Sequence, residues 1–199
     1  MKKILLLLLA CSVLLFSCST SNVQRITDTS AYDISGNWNN NDFEIVCNQL
    51  IESCLSSPWE MKFKAAKGNV VPVIVIGNIF NNSSEHIDTS IIAKQIEKAL
   101  INSGSAQIAA DINFRKDLRE EKESQQFHAS LDTAVAEGQE VGANFILQGT
   151  LTTVVDTTLN QAVKTYRVSL ELIDIETGLK CWTDEKVINK YIKRAKYKF

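Results

Sequence analysis

The stretch Val70-Val71-Pro72-Val73-Ile74-Val75-Ile76 limits what this chain can become more than any other. Apart from Pro72, every residue in it is branched at Cβ, which stiffens the side chain and favours a pleated strand over a helix. A strand that faces water on one side alternates apolar and polar residues. This run does not alternate. It predicts a strand covered on both faces, as in sheets flanked by helices. Pro72 lies near its start, where a missing ladder donor is tolerated.

The flanking segments supply the cover. Phe43, Ile45, Val46, Leu50, Ile51, Cys54 and Leu55 recur at helical spacing behind a capping pair, Asn41-Asp42. Ile91, Ile92, Ile96, Ala99 and Leu100 do the same behind Asp88 or Thr89, and Gly104 ends that helix. Between strand and helix, Asn81-Asn82-Ser83-Ser84 reads as a loop. Gln107 to Ala110 suggests a short strand, and the charge-dense 112–126 segment a solvated helix. Leu131, Ala134, Val135 and Val141 mark a further helix closed by Gly142. Three strands follow: Asn144 to Gly149 extended by Thr152 to Thr158, then Tyr166 to Ile173, then Lys180 to Ile188. Gly178, in Glu176-Thr177-Gly178, supplies the left-handed position of the turn between the last two. The expectation is a single small α/β domain with helices packed on a mixed sheet, parallel first and antiparallel at the end. Trp182 alternates with apolar strand residues and is expected to be buried. Trp38 sits among Asn37, Asn39, Asn40 and Asn41, a polar setting.

The chain opens Met1-Lys2-Lys3 and runs apolar from Ile4 to Phe16. A basic start and about a dozen apolar residues make a secretory leader, while a membrane span needs roughly 20. The boundary Leu15-Phe16-Ser17-Cys18 resembles a bacterial lipobox, in which the cysteine is acylated. Leu8-Leu9-Ala10-Cys11 is a second such boundary, but it leaves a shorter apolar core and strands Val13 to Phe16 on the mature chain. A plain leader with an incidental cysteine is the third reading. The preferred division is a lipoprotein signal at 1–17, a polar tether at 18–31 and one domain at 32–199, with Cys18 as the lipid anchor. Several acyl chains on one residue, at about 0.8 kcal/mol per buried CH₂, hold a protein on a membrane where one would not. Ser19 is not the inner-membrane retention aspartate, so the expected location is the outer membrane, facing the periplasm.

With 21 basic and 23 acidic side chains, and Lys2 and Lys3 in the leader, the chain lacks the basic excess that nucleic acid requires. Catalytic signals are thin: there is no HExxH, GxSxG, P-loop or GxGxxG. The two histidines, His86 and His128, make no metal site at their spacing. Glu120, Glu121 and Glu123 belong to a charged helix face rather than to an acid–base pair for glycan cleavage. Cys47 and Cys54, seven apart on one helix, lie ~10 Å apart and cannot pair with each other, though either could pair with Cys181. No cofactor is expected. The polar loop Asn78 to Asp88 is the candidate docking surface: Asn81, Asn82 and Ser83 offer amides and a hydroxyl, Glu85 and His86 charge. The same loop must also start the next helix, which alone accounts for its polarity. The basic end KYIKRAKYKF, 190–199, is a competing surface or a frayed terminus.

The stretches DISGNWNNND (33–42), VVPVIVIGNIFNNSSEHIDT (70–89), ALINSG (99–104), LREEKESQQ (118–126), GQEVGANFILQGTL (138–151) and LELIDIETGLKCW (170–182) resemble the LpoB family of penicillin-binding-protein activators. The resemblance implies an α/β domain like the N-terminal domain of TolB and no catalysis of its own. It implies an outer-membrane lipoprotein that stimulates a bifunctional penicillin-binding protein, a peptidoglycan synthase. Enterobacterial members carry a long proline-rich tether, whereas about 14 residues follow Cys18 here, spanning at most roughly 50 Å. The alternative is a TolB-like envelope-assembly lipoprotein that recruits another periplasmic complex.

Overall fold

Residues 35–129 and 140–193 are described by a computed structural model. Asn39, not the Asn41-Asp42 pair, caps the first helix, α1 (Asn40–Ser56). The Asn39 side chain accepts from the Asp42 amide at 3.2 Å, while the Asp42 carboxylate accepts from the Asn39 amide at 2.8 Å. Each side chain thus satisfies the other residue's orphan N–H. The helix buries Val46, Cys47, Leu50 and Cys54 on one stripe, as their spacing predicts. A short helix that the pattern does not announce follows, α2 (Trp59–Ala66). It buries only Trp59 and Phe63, one turn apart, which is too little repetition to show a period. Both rings meet Phe145 edge-on, at centroid distances of 5.7 and 5.2 Å.

The remaining elements are β1 (Val73–Asn82), α3 (Ser90–Ser103), β2 (Gln107–Ala109), α4 (Ile112–His128), β3 (Phe145–Thr157), β4 (Gln161–Asp174) and β5 (Lys180–Lys193). The sheet has five strands in the order β2-β1-β3-β4-β5. Pairings of β1 with β2 and β3 are parallel, and those of β4 with β3 and β5 are antiparallel. The expected mixed sheet is present, with its parallel half first. Gly104 closes α3 at φ 70°, and Gly178 sits at φ 71° in the last turn. Most of the further helix expected at 131–141 lies outside the described residues; Val141 and Gly142 form irregular chain before β3.

Boundaries moved where tertiary pairing overrides local composition. β1 begins at Val73 and continues through Asn81 and Asn82, which pair with Leu151 and Thr152 rather than forming a loop. Ile76 pairs with Leu147 and Ile79 with Gly149, so Gly77 and Asn78 together oppose Gln148 as a bulge. β1 is covered on both faces only at its start. Val73 and Ile74 are buried in succession, Val75 and Ile76 are half-buried, and Phe80 is 57% exposed. The antiparallel half leaves its outer face to water, as such sheets can. On the inner face Ile74, Leu147, Leu151, Val168, Leu170 and Leu172 pack with α1 and α3. Trp182 is 7% exposed, as expected, and its indole N–H donates to Ser53 Oγ of α1 at 3.2 Å.

Candidate functional site

The loop after β1 is built by its own side chains. Asn81 Nδ2 donates to the carbonyls of Glu85, at 2.8 Å, and Ile87, at 3.2 Å. Ser83 Oγ donates to Asn81 Oδ1 at 2.6 Å, and the Ser83 amide reaches the same oxygen at 3.0 Å. Neither Asp88 nor Thr89 caps α3 in the usual way. Asp88 accepts from the Ser90 amide at 3.0 Å, while the Thr89 hydroxyl donates back to the Ile79 carbonyl. Asn81 and Ser83 are therefore spent on the loop's shape. Asn82, at the end of β1, and His86 are exposed.

Glu85 joins this loop to the rest of the domain. Its carboxylate accepts from the Trp38 amide at 3.0 Å, Lys164 Nζ at 2.8 Å and the Tyr166 hydroxyl at 2.6 Å. Lys164 also reaches Asn37 Oδ1, and the Tyr166 hydroxyl lies 3.0 Å from the Gly36 carbonyl. Burial pushes the Glu85 carboxyl up, but these hydrogen bonds outweigh it and hold the group below its ordinary value. Tyr166 moves the other way: burial and the facing carboxylate push its phenol well above the usual range.

The segment 35–39 thus crosses the domain as a strap. Trp38 meets Phe43 at 5.2 Å and Tyr166 at 5.3 Å, both edge-on, and packs on the core despite its asparagine neighbours. Its indole nitrogen has no hydrogen-bond partner among the described residues. Lys190 secures the strap from β5. Its ammonium donates to the Asn37 carbonyl at 2.8 Å and pairs with Asp42 at 2.6 Å, with both side chains 5% exposed or less. The basic end is corrected here: Lys190 to Lys193 belong to β5 and Lys190 is buried, while 194–199 lie outside the described residues. Between strap and loop lies an open cleft of about 430 Å³, lined by Asn37, Trp38, Phe43, Glu85, His86 and Ile91.

Nothing in the cleft pairs a nucleophile with a base. Among the described residues no three His, Cys, Asp or Glu side chains group as a metal site. Cys47, Cys54 and Cys181 are free thiols. Burial pushes Cys47 up to about 11 and Cys54 up to about 12, so neither is reactive near neutral pH. Of the candidate docking residues, Glu85 and His86 line the cleft. Asn37 and Trp38 at the cleft, and Lys164 and Tyr166 on the Glu85 carboxylate, were not foreseen, because they join across the fold rather than along the chain. Among the described residues no helix is long and apolar enough to cross a membrane. Cys18 lies outside the described residues.

No curated protein matches the chain in sequence. Among solved structures it is similar to the LpoB C-terminal domain from Salmonella enterica, at 15% identity and TM-score 0.41, covering 74% of this chain and 98% of that one. The LpoB C-terminal domain from Escherichia coli gives 16% identity, TM-score 0.41 and coverage of 75% and 99%. Lipoprotein GNA1162 from Neisseria meningitidis gives 16%, 0.35 and coverage of 60% and 83%. Residues 42–188, most of the chain, match the family described as peptidoglycan-synthase activator LpoB. The chain belongs to the LpoB family of peptidoglycan-synthase activators.

Proposed function

We propose that this chain is an outer-membrane lipoprotein, acylated at Cys18 and facing the periplasm, whose domain docks a bifunctional penicillin-binding protein. Docking goes through the outward side of the end of β1 and the loop after it, from Asn82 to His86. The supporting observation is the Glu85 hub: three hydrogen bonds fix the loop while Asn82 and His86 stay exposed. A loop held this way loses little entropy on binding, so its contacts act on the partner rather than on ordering itself. The domain does no chemistry. A non-catalytic activator raises its partner's rate only by binding the working conformer more tightly than the resting one.

Capture of a purified bifunctional penicillin-binding protein by the full-length protein tests the partner. Asn82→Ala with His86→Ala is expected to weaken capture while stability moves by under ~0.5 kcal/mol, since both sites are exposed. Unchanged capture would place the docking surface elsewhere. Cys18→Ala is expected to abolish acyl labelling and release the protein from membranes. Labelling that persists in Cys18→Ala and disappears in Cys11→Ala would move the anchor to the earlier cysteine.

A further inference from the structure

The strap and the loop after β1 share their fastenings. The Trp38 amide of the strap donates directly to Glu85 of the loop at 3.0 Å. The other two donors to Glu85 also touch the strap. Lys164 reaches Asn37 Oδ1 as well as Glu85, and the Tyr166 hydroxyl stands between Glu85, at 2.6 Å, and the Gly36 carbonyl, at 3.0 Å. The strap itself forms no ladder with the sheet. It leans on the Trp38 ring, edge-on to Phe43 and Tyr166, and on Lys190, which donates to the Asn37 carbonyl at 2.8 Å. A seated and a lifted strap therefore differ by a handful of contacts. Lifting stops at Asn39, whose reciprocal bonds with Asp42 begin α1.

We propose that the strap is a clasp on the loop. Seated, it keeps Glu85 bonded and the loop in one shape. Lifted, it takes the Trp38 amide from Glu85, strips Lys164 and Tyr166 of their second attachment, and lets the loop loosen. Two loads that bias one two-state element are coupled, and the coupling runs equally in both directions. The chain leading back toward Cys18 joins the described domain through the strap. A pull along that chain and a partner on the loop thus act on the same equilibrium in opposite senses. The clasp concerns strap and loop alone; that the loop docks a synthase rests on the function proposed above.

Gly36 supplies the means to hold the clasp shut. A Cβ built on it lies 3.8 Å from the Ile192 Cβ of β5, the usual separation across a disulfide, and its φ lies outside the left-handed region. The atoms such a Cβ would strike are Ile192 Cδ1 and Cγ1, at 2.1 and 2.3 Å. Ile192→Cys removes Cδ1 and leaves a sulfur where the bond must form. Gly36→Cys with Ile192→Cys therefore ties the strap to β5 without altering Glu85 or the loop.

The readout is amide hydrogen exchange in the full-length protein at Ser83 and Glu85, whose N–H groups bond to Asn81 Oδ1 and Ser83 Oγ within the loop. All forms carry Cys181→Ser, which removes the exposed thiol. Trp38→Ala deletes the ring that seats the strap and keeps the residue-38 amide. It should speed exchange at both loop sites roughly tenfold, leave the β4 amides unchanged and weaken capture of a purified bifunctional penicillin-binding protein by a similar factor. Adding the oxidised 36–192 bond should restore both, and reduction should undo the rescue. With Trp38 in place, bound synthase should slow exchange of the Trp38 amide. Loop exchange that Trp38→Ala does not move, or that the oxidised bond does not rescue, overturns the clasp. An equal rise at β4 also overturns it, because Trp38 would then support the whole domain. If Trp38→Ala does not fold, the bond alone decides: Ser83 and Glu85 should exchange more slowly in the oxidised form than in the reduced one, and equal rates overturn the clasp. Loop exchange that follows the strap while capture stays unchanged upholds the clasp and overturns the docking role of the loop.

Discussion

At the Glu85 carboxylate, burial and hydrogen bonding act in opposite directions, and hydrogen bonding wins. Its folded pKa lies below the unfolded value of about 4.3, so the group adds stability above that pH and loses it as pH falls through the lower folded value. Glu85→Gln should therefore melt well below the wild type at pH 7, by about 1–2 kcal/mol, with the gap closing below about pH 4. Thermal melts of both proteins across that range check it; a gap independent of pH would remove the carboxylate from the hub. Lys190 is a sharper case. Taking away its ammonium leaves the buried Asp42 carboxylate with the Asn39 amide but no counter-charge, and Lys190→Met should cost about 3–5 kcal/mol in urea unfolding. Neither role was legible from composition. Lys164 is 79 residues from Glu85 and Lys190 is 153 from Asn37, so no local spacing reports them. Asn81 and Asp88 were legible only as polar side chains that bond to nearby backbone; the strand pairing of Asn81 and the missing cap bond at α3 were not.

Among the elements, the strands carry the tightest constraints. Gly149 stands where a Cβ would meet the Ser169 carbonyl at 2.3 Å, so β3 and β4 approach too closely there for any side chain. Gly149→Ala must push the two strands apart, and it should cost about 1–3 kcal/mol, read as a lower urea midpoint. Trp182 binds β5 to α1 by packing and by its bond to Ser53; Trp182→Ala should cost about 3–5 kcal/mol. An unchanged melting temperature would detach β5 from the core. Period alone found α1 and α3, whose apolar stripes repeat over several turns. It missed α2, whose two buried aromatics share one turn and take their meaning from Phe145. It also cut β1 short, because Asn78, Asn81 and Asn82 read as loop while the ladder to β3 holds them extended.

Across the whole molecule, order is uneven. Helix α4 exposes Phe114, Leu118 and Phe127 and buries no described side chain, so its amides should exchange orders of magnitude faster than those of β4. Hydrogen exchange resolved by segment checks this; equal protection would mean that α4 is packed more firmly than its exposure indicates. Apart from α2, the order of the described elements and the mixed sheet were legible because each rests on local pattern. The strap was not, since Trp38 looks polar by its neighbours and is apolar only by its contacts. The sheet order also has a temporal meaning. Strands β3, β4 and β5 are consecutive hairpins whose partners lie close along the chain, the arrangement that forms quickly. Helix α1 precedes them, yet it rests on β5, through Trp182 to Ser53 and Lys190 to Asp42. A chain emerging amino end first therefore cannot complete the seat of its first helix until nearly its last strand has arrived. The full docking of the first helix is thereby tied to the last strand.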